Sequence, residues 1–171
     1  MKLNSFNKQA DKLRDSTLCF LVKEGQVLLA MKKRGFGKDR WNGVGGKLNL
    51  GETIKQAAIR ETKEEIEVIV SRIEKVAVLD FYFPSDLEWN QRVSVFMAKK
   101  WNGEPLETEE MAPKWFIINK LPFESMWPDD IYWLPQVLNG KKIKAEFLFG
   151  GNDTLLDYKV SQVKNLAKYI P

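Results

Sequence analysis

Four glutamates stand at spacings that concentrate negative charge: Glu52, then Glu61, Glu64 and Glu65. On a helix, residues three and four apart share a face, so the last three crowd one another. At about 100° per residue, Glu61 and Glu65 also fall on the strip of Ile54 and Ala58, which a folded helix buries. Like charges so placed repel weakly in water and strongly once desolvated. A bound cation removes the repulsion. Oxygen ligands select a hard ion, Mg²⁺ first, with Mn²⁺ able to substitute. The alternative is a solvated acidic face, against which the surrounding glycines argue. Gly45 and Gly46 let the backbone approach a metal or a phosphate closely. Arg60 is placed to pair with a neighbouring glutamate and fix its rotamer, or to form a plain surface pair with Glu64. A cation held there can activate a water, for which Glu61 or Glu64 is the candidate base.

Composition removes the competing chemistries. The chain has no histidine, which excludes His-based triads and an imidazole acid or base. Its one cysteine, Cys19, excludes an internal disulfide and a thiolate zinc cluster. That cysteine lies in the run Thr17-Leu18-Cys19-Phe20-Leu21-Val22 and reads as a buried structural thiol. The net charge of +4 suits a polyanionic ligand. Lys32, Lys33, Arg34, Lys38 and Arg40 form either a funnel for a phosphate substrate or a nucleic-acid patch. No apolar run reaches the roughly 18 residues of a membrane span, and no secretory segment follows Met1. The expected compartment is the cytoplasm.

The elements that must hold these residues are legible in outline. Residues 1–15 are polar and uneven and read as a flexible extension, ahead of one domain over 16–171. Apolar runs 17–22 and 27–31 bracket Lys23-Glu24-Gly25-Gln26, a hairpin signal. A glycine-rich loop follows, from Gly35 to Gly51. Thr53 and Gln56 form a capping-box pattern that starts a helix running to about 66. Strands are expected over 73–83, 92–101, 114–118, 143–149 and 154–160. A helix is expected over 129–138, with Pro135 against its regularity. An amphipathic C-terminal helix would carry Val163, Leu166, Ala167 and Ile170. Strands mixed with a few helices predict an α/β fold, a mixed sheet between helical layers.

The spacing Gly46-x5-Glu52-x7-Arg60-Glu61-x2-Glu64-Glu65 resembles the Nudix box, the signature of hydrolases of nucleoside diphosphates linked to another moiety. Two positions depart from it: Thr62 stands for an aliphatic residue, and Glu67 for a helix-ending glycine. Beyond the box, Met31–Gly37, Arg40–Gly43, Glu110-Met111, Trp115-Phe116 and Met126–Asp130 resemble the MutT-type branch that hydrolyses 8-oxo-dGTP. This resemblance covers roughly residues 17–160 and implies an α/β/α sandwich. It implies metal ligation by the Gly45 carbonyl with Glu61, Glu64, Glu65 and Glu110. It further implies a base pocket of Thr17, Phe36, Asn42, Phe81, Trp127, Asp129 and Asp130, with Val44, Gly46 and Pro128 beside it. Lys32 and Lys47 would lie near the substrate. Gln91 aligns with a pocket methionine, next to a one-residue insertion within Ser85–Gln91.

The pocket residues also suit that use physically. Trp127, Phe36 and Phe81 offer faces for a purine, although Phe81 also reads as core. Asn42 carries a donor and an acceptor, and is equally a turn residue before Gly43. Asp129 and Asp130 either cap the next helix or, beside aromatic walls, share a proton near neutral pH. The expected activity is hydrolysis of oxidised purine triphosphates to monophosphate and pyrophosphate, by a monomer forming no stable nucleic-acid complex. Another Nudix substrate (ordinary dNTP, dinucleotide or capped RNA) and a silent nucleotide-sensing module remain alternatives.

Overall fold

The computed structural model describes residues 1–6 and 12–169. Strands β1 (Arg14–Lys23) and β2 (Gln26–Lys32) form the expected hairpin. Glu24 and Gly25 both have positive φ, 45° and 74°, the backbone of a tight two-residue turn whose twist matches its strands. The two strands pair only at this turn, through Val22–Val27 and Lys23–Gln26, and then diverge. β2 goes on to pair with the two-residue β3 (Trp41–Asn42) and with β6 (Met111–Ile117). β1 pairs in parallel with β5 (Gln91–Asn102), and β5 is antiparallel to β4 (Ile69–Tyr82). Beyond β4 lie β7 (Lys142–Phe149), parallel, and β8 (Leu155–Val163), antiparallel. The result is one mixed sheet that splits open between β1 and β2.

Successive strand residues point to opposite faces, and here both faces are apolar. Phe20, Leu29, Leu79, Val93 and Phe147 pack with Trp133, Leu134 and Val137 of α3 (Asp130–Leu138). Their neighbours Cys19, Leu21, Leu28 and Ala30 pack on the other side with Ala58 and Ile66 of α2 (Ile54–Ile66). This is the expected α/β/α sandwich. Each large side chain so buried contributes about 1.5–3 kcal/mol, so the two helices are held by their inner faces. Pro135 is tolerated within α3 because the carbonyl it leaves unbonded belongs to Ile131, on the exposed side of the helix.

Helix α2 carries the box and is fixed at both ends. Thr53 Oγ1 accepts from the Gln56 N–H at 3.2 Å, and Gln56 Oε1 accepts from the Thr53 N–H at 2.8 Å. At the far end Glu67 takes the left-handed conformation (φ 62°) and donates its N–H to the Lys63 carbonyl. A glutamate there costs about 1 kcal/mol against glycine. Thr62 is fully buried and bonds its hydroxyl back to the Ala58 carbonyl at 2.7 Å. That bond lets a polar side chain stand in an aliphatic position.

Both termini differ from expectation. Leu3–Phe6 forms α1, and Leu3 and Phe6 are buried against Tyr82 and Leu148; residues 7–11 lie outside the described residues. Two apolar residues in a polar segment carry no periodic signal, so only the tertiary contact reveals the docking. The expected C-terminal helix is absent from the described residues. Val163 instead ends β8 in register with Lys142, and the chain then bends, with Leu166 buried; Ile170 lies outside the described residues. Pairing with β7 consumes the first turn of that segment, and a helix as short as the remainder is marginal. Among the described residues no helix is long and apolar enough to cross a membrane.

Candidate active site

The gap between β1 and β2 is filled by the loop ahead of α2. Val44 exchanges backbone bonds with Cys19 (2.6 and 3.1 Å), and the Gly46 carbonyl accepts from the Thr17 N–H at 2.9 Å. The loop therefore lies flat along β1. Only glycine allows this at Gly45, where a Cβ would stand 1.8 Å from the Thr17 carbonyl oxygen; one on Gly46 would stand 2.6 Å from the Glu61 carboxyl and push that side chain aside. Lys47 continues the run opposite Ser16. The box carboxylates thus press against loop backbone from behind.

Arg60 organises them. It donates to Glu52 through two bonds, 2.7 and 2.9 Å, and through Nη1 to Glu61 (2.6 Å) and Glu64 (3.2 Å). It also donates to the Lys47 carbonyl at 3.1 Å, tying helix to loop. The fork holds the Glu52 carboxyl down to about 2. Arg60 does pair with a neighbouring glutamate, but its bidentate partner is Glu52, eight residues back. The surface pair with Glu64 is the longest of these contacts.

Glu65 is different. Its carboxylate is buried and accepts from the Gly45 N–H at 3.0 Å. Burial first, then the nearby charges of Glu61 and Glu110, push it up to about 8 despite that bond and Lys32. Glu110 reaches this field from the β6 side, where Arg34 Nη2 donates to it at 2.9 Å. Among the described residues no three acids converge as they stand to hold a metal. Each is turned to a partner: Glu61 and Glu64 to Arg60, Glu110 to Arg34, Glu65 to the loop. The donor set still fits a hard divalent cation. It is all oxygen, and its innermost carboxylate is disfavoured as an anion by burial first and by neighbouring charge second.

On the other side of the loop lies a cavity of about 390 Å³. Thr17, Lys32, Phe36, Asn42, Gly45, Gly46, Lys47, Phe81, Trp127, Asp129 and Asp130, all named by the resemblance, line it. Val44 and Pro128 are not among its lining residues; the Val44 side chain faces the α2 core instead. Strand alternation explains that correction, since Val44 pairs with Cys19, which points the same way. Phe81 serves both readings, lining the cavity while stacked on Phe147 at 5.4 Å. Asn42 Oδ1 accepts from the Gly43 N–H at 2.8 Å, which leaves its NH₂ to the cavity.

Asp129 and Asp130 are buried to within 2%. Asp129 Oδ2 accepts from Trp133 Nε1 at 3.0 Å, while its Oδ1 is buried with no partner among the described residues. Asp130 Oδ2 accepts from the Trp127 N–H at 3.2 Å. Neither carboxylate caps α3. Burial pushes Asp129 up to about 7, and burial with the Asp129 charge pushes Asp130 well above the usual carboxylate range. At neutral pH the pair therefore holds at least one proton.

The NUDIX domain profile matches residues 12–137. The chain belongs to the Nudix family. It is 45% identical over 150 residues to the oxidized purine nucleoside triphosphate hydrolase of Danio rerio, covering 88% of this chain and 96% of that protein. The protein of the same description from Mus musculus is 44% identical over 147 residues, covering 86% and 94%. The crystal structure of a mutator MutT protein from Bacillus halodurans superposes with TM-score 0.76 at 24% identity, covering 87% of this chain and 98% of that one, a likeness of fold. This Nudix chain also shows wall residues that sequence reasoning missed. Trp89, from a 3-10 turn (Leu87–Trp89), stacks on Phe36 at 4.1 Å, and Phe83 meets Phe36 edge-on at 6.0 Å. Arg40 lays its guanidinium 4.4 Å over Trp127 while bonded to the Met126 carbonyl and Asp153. Only its place in the basic cluster marked Arg40; nothing local marked the other two.

Proposed function

We propose that this Nudix chain is a Mg²⁺-dependent pyrophosphohydrolase that prefers oxidised purine nucleoside triphosphates such as 8-oxo-dGTP, releasing the nucleoside monophosphate and pyrophosphate. One observation carries the reading: a buried, protonatable acid pair among aromatic walls opens into the same cavity as Gly45 and Gly46, whose backbone rests on the box glutamates Glu65 and Glu61. The identity to oxidized purine nucleoside triphosphate hydrolases supports it.

Glu61, Glu64, Glu65, Glu110 and the Gly45 carbonyl would hold the cation, which when bound neutralises phosphate charge and activates a water. Glu61 or Glu64 is placed to take the proton of that water, its rotamer set by Arg60. Lys32 and Lys47 attract the triphosphate at the cavity mouth. Trp127, Phe36 and Phe81 stack against the purine and exclude water from its face. The acid pair donates and accepts, so it can match more than one oxidised purine edge. In this reading the protein works as a monomer on free nucleotides in the cytoplasm, without a stable nucleic-acid partner.

The test is a nucleotide panel assayed for pyrophosphate with and without Mg²⁺. Preference for 8-oxo-dGTP over dGTP, lost in chelator, is the expected outcome. Equal hydrolysis of ordinary dNTPs, or turnover only of dinucleotides or capped RNA, would refute the substrate assignment.

A further inference from the structure

The cavity wall contains an amide that the acid pair and the aromatic stack do not account for. Gln91 opens β5 on the face of the sheet where Val93, Val95 and Met97 follow it into the core. It stands in register with Phe81 on one side and Arg14 on the other, and it lines the cavity with both. An amide in this row is anomalous, and the structure shows how it is held. Ser16 is buried on β1, and its hydroxyl donates to Gln91 Oε1 at 2.8 Å. That bond consumes the acceptor end of the amide. Among the described residues the NH₂ end has no protein partner.

Two amides therefore present donors to one cavity. Asn42 has its oxygen tied to the Gly43 N–H, and Gln91 has its oxygen tied to Ser16. A fixed donor distinguishes two kinds of exocyclic purine group. It is satisfied by an oxo oxygen, and it is left facing N–H bonds by an amino group. Resting on the oxidised-purine reading of the same cavity, we propose that Gln91 is a specificity-determining residue that donates to an exocyclic oxo group of the base, with Ser16 as the residue that orients it. The ligand class is a purine with a carbonyl at that edge, and a purine with an amine there is disfavoured.

The experiment compares wild type with Gln91→Met, Gln91→Glu and Ser16→Ala on 8-oxo-dGTP, dGTP, 2-oxo-dATP and dATP. Gln91→Met keeps length and removes the N–H groups. It should raise KM for 8-oxo-dGTP about tenfold with kcat little changed, and leave dATP unaffected or improved. Gln91→Glu should lose more, because an acceptor then faces the oxo oxygen. Ser16→Ala should lose less than either, again in KM, because the amide stays and only its orientation is freed. Equal unfolding midpoints for the four proteins would separate recognition from stability. Gln91→Met and Gln91→Glu variants that match wild type on all four nucleotides, or that fall by one common factor on all of them, would overturn the assignment. A wild type without preference for oxidised purines would instead refute the substrate reading, so the two failures are distinguishable.

Discussion

Asp129→Asn tests the acid pair by stability and by recognition together. The substitution keeps size, and the remaining side-chain oxygen can still accept from Trp133 Nε1. In the wild type burial raises the Asp129 carboxyl from 3.8 to about 7. The folded protein thus holds a proton that the unfolded chain releases above pH 4. Its stabilising contribution is complete below 3.8, declines through the interval and is gone above about 7. At roughly 1.4 kcal/mol per pH unit, the loss between pH 4 and pH 8 is on the order of 4 kcal/mol. Asparagine carries no such proton, and it also relieves Asp130 of a neighbouring charge. Urea unfolding at half-unit pH steps should therefore show a steeper alkaline decline for wild type than for the variant. In parallel, kcat/KM for 8-oxo-dGTP should fall by about 1–3 kcal/mol, roughly 5- to 150-fold, because a fixed donor replaces a group that could switch. Parallel pH profiles would refute the raised carboxyl. Wild-type kinetics in the variant would refute its contact with the base.

Three further outcomes are expected. Gly46→Ala sets a methyl 2.6 Å from the Glu61 carboxyl, which can yield, so the fold should survive while turnover falls about 100-fold; unchanged turnover would show that Glu61 needs no fixed position. Activity should vanish in excess chelator and return with Mg²⁺, and Glu64→Gln should lower kcat by orders of magnitude with an unchanged circular dichroism spectrum; full hydrolysis in chelator would end the metal mechanism. Phe6→Ala removes a buried ring packed edge-on against Tyr82 at 5.6 Å and should cost about 3 kcal/mol, seen as a lower Tm; an unaltered melt would mean that α1 contributes nothing to stability.

What the sequence revealed follows the range of the interactions involved. The start of α2 was legible because Thr53 and Gln56 complete each other within four residues, and the β1–β2 turn because Glu24-Gly25 is local chemistry. The box glutamates were legible as a charged strip on a buried face. That strip does not specify that Arg60 grips Glu52 rather than Glu64, since the grip depends on how the loop returns along β1. Trp89 was invisible because its value lies in meeting Phe36, fifty-three residues earlier in the chain. The C-terminal pattern of Val163 and Leu166 suits a helix by period, but β7 offered an open edge, and pairing with it took precedence. Val44 was assigned to the pocket by position alone; its backbone lines β1 while its side chain turns away.

The burial of Cys19 bears on the protein's chemical durability. Its thiol is 1% exposed and pushed up by burial to about 12. At neutral pH such a thiol stays protonated, and thiolate is the form that peroxides and disulfides attack. In the reading given above, the substrates are themselves products of oxidant exposure. Such a protein must keep working when peroxide is most abundant, and this chain gives that oxidant no accessible sulfhydryl to convert to sulfenic acid. Its activity should therefore persist without added reductant, in conditions that silence enzymes with a cysteine at the surface.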